Sequence, residues 1–528
     1  MAPVQLDSSL LLSVVFVVSC FVVVARSFWW PGRRKDGGRV LPPSPPPLPI
    51  IGNLHQLGRS HHHRRLLELA QRHGPLFLLR LGSVPTLVVS SASVAEEVLK
   101  TQDHVFCSRP LQRTARGLLY DCRDVAFSPY GERWRQLRRI AVLHLLSAKR
   151  VDSFRAIREA EVASFVERIR AAGAHDHEDD DGGGGKRRAG INVSELLIGL
   201  TYTVISKAAF GNKLGGTEPG AVRAMMRETN DLLETIAVSD VFPRLRWVDW
   251  ATGLDARITR TAAKLDAVLE GALQEHENGG SGNDGEADDL LDDVLSAVKE
   301  GGAGLNLGMT DVKGLIINLF LAGTDTTSKA MEWTMAELAK NPDELSKVQA
   351  EVRQVVGEHA GSVVTEERLS SMARLQAAVK EALRLHPPVP MLVPREVLHD
   401  TKLRGYDVPA KTRVLVNAWA IGRDSGSWGE DADAFRPERF VARDAAAAAV
   451  DYSGKDFRFI PFGAGRRGCP GIGFGTRLAE LALANMLYHF DWELPGGLDV
   501  DSFEVVESSG LSTGLKCPLT LLTKPFQA

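Results

Sequence analysis

Cysteine is scarce in these 528 residues, with five in all: Cys20, Cys107, Cys122, Cys469 and Cys517. They are too few and too scattered for a disulfide framework. No C-x-x-C pair or Cys/His spacing marks a zinc site either. An excess of one charge is also missing: 63 Lys+Arg stand against 66 Asp+Glu, a net of −3. That balance excludes the dominant basic stripe of a nucleic-acid binder. The sequence has no internal repeat, and its one long apolar run is 10–25, which excludes a multi-span membrane protein. What remains is ordinary globular composition, 44% hydrophobic and 24% charged, so disorder throughout is excluded. The length allows roughly two to four domains or one large one.

The apolar run gives about 24 Å of helix, a little short of a ~27 Å endoplasmic reticulum core. Extending it to 8–28 closes the gap, with Arg26 snorkelling and Phe28, Trp29 and Trp30 at the interface. A cleaved signal peptide would carry positive charge ahead of the run, and only Asp7 is there. The cations follow instead, at Arg26, Arg33, Arg34, Lys35 and Arg39. The reading is one anchor, 1–30, with everything downstream on the cytosolic side. Six prolines between Pro42 and Pro49 then enforce extended backbone, so 31–53 reads as a basic, proline-rich hinge. A generic linker or a proline-motif ligand would have the same composition.

The body, 54–528, is mainly helical. Apolar periodicity predicts helices at 64–73, 130–146, 153–172, 221–236, 255–277, 310–340, 343–357, 370–386 and 472–490. Short strands are expected at 76–81, 86–90, 412–418 and as a pair near 508–523. Three stretches, 173–190, 278–289 and 445–449, read as inserted surface loops. The acidic run in the first lacks calcium-loop spacing. His61, His62 and His63 read as exposed polar residues entering a helix rather than as metal ligands.

The chemistry is concentrated in Phe457-Arg-Phe-Ile-Pro-Phe-Gly-Ala-Gly-Arg-Arg-Gly-Cys469-Pro-Gly471. Gly463, Gly465 and Gly468 spell G-x-G-x-x-G, the dinucleotide fingerprint. Pro461 and Arg458 interrupt the required strand, however, and too little chain follows for the repeated β-α-β units of that fold. Cys469 points elsewhere. A thiol ahead of a helix, beside Arg466 and Arg467, is in a setting that favours the thiolate, and a soft thiolate on a rigid loop suits haem iron. A buried, inert thiol is the default for a lone cysteine.

The pattern Phe462-x-x-Gly465-x-Arg467-x-Cys469-x-Gly471 resembles the haem-binding signature of the cytochrome P-450 monooxygenases. Three further segments resemble the same family in the expected order. Ala322-Gly-Thr-Asp-Thr-Thr327 sits inside a predicted helix although Gly and Thr are poor helix formers, which suggests a weakened, bent turn. Glu381-x-x-Arg384 is followed by Arg439 in Phe435-Arg-Pro-Glu-Arg-Phe440, and Trp134 and Arg138 share one helix face. The closest flavour is that of plant microsomal A-type enzymes of specialised metabolism, and no signature position departs from the pattern.

The resemblance implies one triangular, mainly helical domain with small sheets behind an N-terminal transmembrane helix, in the endoplasmic reticulum membrane with its body cytosolic. It implies haem b with Cys469 as the axial iron ligand. Trp134, Arg138, Arg395, Arg467, Phe462 and Gly465 would hold the cofactor, and Thr326 and Asp325 would serve oxygen activation and proton relay. Glu381, Arg384 and Arg439 would form a structural network. The implied reaction inserts one atom of dioxygen into a small apolar substrate, with electrons from NADPH delivered by cytochrome P-450 reductase. Membrane lipid is a partner and nucleic acid is not. A haem-thiolate isomerase or dehydratase is the alternative activity, and a tethered scaffold without haem the alternative class. Arg133, Arg135, Arg139, Lys149 and Arg150 could form a docking face or simply a solvated one. By resemblance the substrate pocket draws on 109–125, 238–242, 315–322, 389–393 and 509–513. Indole-type, terpenoid and phenolic substrates all remain open, and 464–495 resembles plant enzymes that oxidise indole-derived defence compounds.

Overall fold

The computed structural model describes residues 38–58, 60–178, 190–211, 219–278, 289–299, 307–357, 363–441, 450–497, 503 and 505–526. The expected anchor at 1–30 lies outside the described residues. Helices dominate. The longest, Met309–Lys340, runs through the interior with Leu315, Ile316, Phe320, Met331, Trp333, Met335 and Leu338 all buried. A helix apolar all round needs neighbours on every side. Here Val193–Phe210, Ala373–Leu385 and Ile472–His489 pack against it. Each of those leucines adds about 1.5–3 kcal/mol of burial, so the central stack dominates the stability of the body.

Nine strands are described: β1 Leu76–Leu81, β2 Val84–Val89, β3 Ile191–Asn192, β4 Arg395–Glu396, β5 Thr401–Leu403, β6 Tyr406–Val408, β7 Arg413–Val416, β8 Phe490–Glu493 and β9 Thr520–Pro525. The largest sheet runs β1-β2-β7-β4, with β2 and β7 parallel and the other pairs antiparallel. Its edge strand β4 sets Arg395 opposite Val414. β3-β9-β8 and the β5–β6 hairpin complete the strands.

Several expectations are revised. The proline-rich hinge does not run free over 40–53. Leu78 N–H donates to Pro43 O (2.8 Å), and Asn53 exchanges hydrogen bonds with Arg80 across β1 (2.6 and 2.7 Å). The helix Arg155–Glu178 extends into the stretch read as a loop from 173. Asp289, at the end of another expected loop, is buried and accepts from His276 Nε2 (2.7 Å). His63 is buried rather than exposed, and it bonds Glu507 at 3.0 Å. Helix Val193–Phe210 gave no periodic signal because its apolar residues face several neighbours at once. It is long and apolar enough to cross a membrane, but 61% of it is buried inside the protein.

Candidate active site

Several segments from distant parts of the chain converge on one cavity. Its floor is the loop Pro461–Gly471, where the 3-10 turn Gly465–Arg467 leads into Ile472–His489. Cys469 N–H donates to Phe462 O (3.0 Å), which fixes the thiol at the start of that helix. Gly463, at φ +67°, lines the cavity in a conformation that disfavours any side chain. Gly465, at φ +70°, faces away from it. A Cβ there would lie 2.1 Å from Leu99 O, so this glycine lets the loop pack on the segment carrying Asp103.

The opposite wall is the long helix. Asn318, Leu319, Ala322, Gly323, Thr326, Thr327 and Ala330 line the cavity, the spacing of a single helix face. The turn expected to bend stays within one helix, Met309–Lys340. The weakness takes another form: Thr326 Oγ1 donates to Ala322 O (2.6 Å), a side-chain bond that competes with the backbone ladder. Gly323 is where Val193–Phe210 comes close, since a Cβ would meet Ile205 Cδ1 at 2.9 Å. Asp325 does not line the cavity. Its Oδ2 accepts from Lys329 Nζ (2.9 Å) and Ser512 Oγ (2.7 Å), so it is half-buried and ion-paired beside the site. Val389, Leu392 and Val393 complete the apolar wall, and the whole encloses about 1720 Å³ of non-atom space, part of it continuous with solvent. Two expected pocket stretches, 238–242 and 509–513, do not line it, and Phe320 packs on Tyr202 and Phe210 instead.

Cys469 is solvent-accessible and lines this cavity, although protein surrounds it. Burial pushes the thiol up, and the Gly471 N–H and Arg138 pull the other way. Desolvation thus outweighs the helix terminus in the protein alone. A coordinating metal cation inverts that balance and deprotonates the thiol outright.

Buried cations surround the loop. Arg109 donates to Ala126 O (2.8 Å) and to Val393 and Pro394 carbonyls. Arg395 reaches Asp103 Oδ1 and Ala464 O, both at 2.9 Å. Arg467 donates to Cys107 O and Ser128 O at 2.7 Å, and burial pushes its guanidinium down to about 9, so it stays charged at neutral pH. Arg138 lines the cavity and has no hydrogen-bond or ion-pair partner among the described residues. Trp134 does not reach the cavity. Its indole N–H donates to Val125 O (3.0 Å) and its ring lies 4.0 Å beneath the Arg467 guanidinium. Sequence reasoning missed Asp103 and Asp124 as counter-charges, and Arg109 as a cation of the site. Only the folded chain brings them together.

Behind the loop, Glu381 and Arg384 are fully buried and joined by two 2.7 Å bonds. Arg384 also donates to Gly422 O and Ala432 O at 2.6 Å, and to Ala434 O at 3.1 Å. Arg439 joins Glu381 at 3.3 Å.

A family model described as Cytochrome P450 matches residues 42–513. The chain belongs to the cytochrome P450 family. It is 48% identical over 478 residues to cytochrome P450 71A1 of Persea americana, covering 90% of this chain and 91% of that protein. It is 42% identical to cytochrome P450 71A26 of Arabidopsis thaliana, with 97% of each chain covered. Strychnine-11-hydroxylase of Strychnos nux-vomica is 40% identical across 98% of this chain and 97% of its own. Among solved structures, a zebrafish cytochrome P450 with abiraterone superposes with a TM-score of 0.72 at 26% identity, over 89% of this chain and 100% of that one. The protein is therefore a plant A-type P450, a monooxygenase whose cofactor is haem b.

The cavity of this P450 fits that cofactor on its own terms. Four guanidinium groups, Arg109, Arg138, Arg395 and Arg467, face two buried carboxylates, Asp103 and Asp124. Burial raises Asp124 to about 6, and Asp103 is shared between Arg395 and Arg466, so the guanidinium groups outnumber the protein's counter-charges at this end of the cavity. A flat dicarboxylate supplies two. Arg138, unpaired, is the group best placed to take one of them.

Proposed function

We propose that this P450 hydroxylates a small, largely apolar substrate, with electrons from NADPH delivered by a membrane-bound flavoprotein reductase. The observation that carries the reading is the facing of Cys469 by the Ala322–Thr327 helix face across an apolar cavity. Haem held there supplies oxygen activation. Of the chain's own groups, Cys469 Sγ ligates the iron and Arg138 takes a propionate, with Arg395 and Arg467 keeping that end positive. Glu381, Arg384 and Arg439 hold the floor rigid. Thr326 Oγ1, now bonded to Ala322 O, is the hydroxyl that can turn toward the cavity and pass a proton. Asp325, adjacent in sequence and ion-paired to Lys329, would help relay protons to it.

The remaining assignments rest on surface features. The anchor 1–30 would place the body on the cytosolic face of the endoplasmic reticulum, with 31–53 as the stem and 54–528 as the catalytic domain. Exposed Ile50, Ile51, Trp247 and Trp250 support a membrane-facing end. Gly82 N–H donates to Ile51 O and Ser83 N–H to Val241 O, so the first patch and the segment before the second are tied to one turn. Arg135, Arg139 and Lys149 are exposed and suit an acidic reductase, whereas Arg133 and Arg150 pair with Asp311 and Asp293. Reconstitution with NADPH–cytochrome P450 reductase tests the reading. Wild type should couple NADPH oxidation to hydroxylated product. Thr326→Ala should keep the fold and the haem yet lose product by roughly 100-fold, the scale of a positioned proton donor. Equal product yield from Thr326→Ala would overturn the role given to that hydroxyl.

A further inference from the structure

Two acids and one ammonium group meet where helix Pro219–Glu234, the long helix and the C-terminal segment around Ser512 come together. Lys329 Nζ donates to Asp325 Oδ2 (2.9 Å), Ser512 Oγ (3.0 Å) and Ser512 O (3.2 Å), so all three of its N–H groups are committed. Ser512 Oγ in turn donates to Asp325 Oδ2 (2.7 Å), and keeps a lone pair for a further donor. Glu234, the last residue of its helix, reaches the same serine: its Oε1 accepts from Ser512 N–H at 3.3 Å. The carboxyl lies in a slot that only glycine leaves open. A Cβ on Gly510, at φ +152°, would fall 2.1 Å from Glu234 Oε2.

The single ammonium is taken by Asp325, which leaves Glu234 half-buried beside one neutral donor. The groups that face it are Asp231 on its own helix, Asp325 and Lys329 on the long helix, and the Ser512 N–H. Burial, with help from the two aspartates, outweighs Lys329 and the N–H and pushes the Glu234 carboxyl up to about 7. We infer that Glu234 is a positioning residue for proton delivery, acting through Ser512 and Asp325 on the Thr326 hydroxyl. The protonated carboxyl gives its proton to Ser512 Oγ as the serine's own proton passes to Asp325. One O–H bond breaks and one forms at each step, and the Glu234 carboxylate regains a proton from solvent through its exposed surface. Asp325 then hands its proton to Thr326, its neighbour in sequence. This deepens the monooxygenase reading and rests on it.

The test compares wild type with Glu234→Gln, which keeps an acceptor for Ser512 N–H and removes only the exchangeable proton. A purely structural Glu234 therefore predicts no change. The first readout needs no turnover: the infrared band of protonated carboxyl groups, followed from pH 6 to pH 8. Burial also raises Glu480 to about 7, so the readout is the difference between the two proteins. Wild type should lose one more carboxyl than the variant as pH rises through about 7, and identical titrations would overturn the inference. The second readout is hydrogen peroxide released per NADPH consumed, with reductase and no added substrate. Proton delivery at Thr326 favours cleavage of dioxygen to water, and without it dioxygen leaves as peroxide. In wild type the peroxide share should be low below pH 7 and rise above it, as Glu234 ionises. In Glu234→Gln it should be high throughout, with water formation at pH 6.5 about tenfold below wild type, less than the roughly 100-fold of a donor in direct contact. Matching pH profiles in the two proteins would sink this inference alone. A wild type with no haem-thiolate band and no NADPH consumption takes the monooxygenase reading down with it.

Discussion

Arg384 and Arg138 are both guanidinium groups, and they are treated in opposite ways. Arg384 is completely enclosed and makes five hydrogen bonds, two to Glu381 and three to backbone carbonyls. Arg138 faces the cavity with no partner among the described residues. Arg138 is half-buried, and a partly desolvated charge without a protein partner is one that a ligand's counter-charge can satisfy. The saturated region is scaffold and the open region is the ligand's. By the same criterion Arg467, with its backbone carbonyl partners, is as much scaffold as cofactor contact.

Three variants sharpen that contrast. Glu381→Ala should do the most damage, because it strands the Arg384 charge and removes acceptors from Arg439 and the Arg436 N–H. The expected cost is about 3–5 kcal/mol, read as a fall in thermal midpoint and almost no haem-loaded protein. Normal haem content would contradict the scaffold assignment. Arg138→Leu should behave differently. The apoprotein should melt where wild type does, since no protein partner is lost, while haem transfer to apomyoglobin speeds up. One charged hydrogen bond is worth about 1.5–3 kcal/mol, or roughly 10- to 100-fold in that rate. An apoprotein destabilised as much as by Glu381→Ala would break the comparison. The smallest effect on the scaffold should be that of Thr326→Ala, which should leave melting and haem retention unchanged and show only in product yield.

How much of this could be read in the chain follows the same division. The loop around Cys469 and the Glu381/Arg384 pair were legible because their residue types are fixed over short spacings, and the long helix because its periodicity runs for many turns. Three kinds of feature were not. His63, Glu507, His386 and Glu337 come from distant segments and meet in the interior. There burial pushes the Glu507 carboxyl up, but hydrogen bonds from His386, His63 and Arg64 outweigh it and hold it well below the usual range. No local signal marks such a cluster, so His63 looked like a surface residue. Helix Val193–Phe210 was hidden by burial on several faces. Trp134 shares a helix face with Arg138 by spacing, yet its N–H is committed to Val125 O, a carbonyl that only the tertiary fold brings near.

The central claim is that Cys469, on the cavity floor, is the sulfur bound to haem iron. The reduced carbon-monoxide difference spectrum of the full-length protein beside Cys469→Ser tests it most directly. Wild type should give the red-shifted Soret band of a thiolate-ligated haem, and the variant, equally folded by circular dichroism, should lose it. A thiolate-type band that survives in Cys469→Ser, or a well-folded wild type that shows none, would contradict the account.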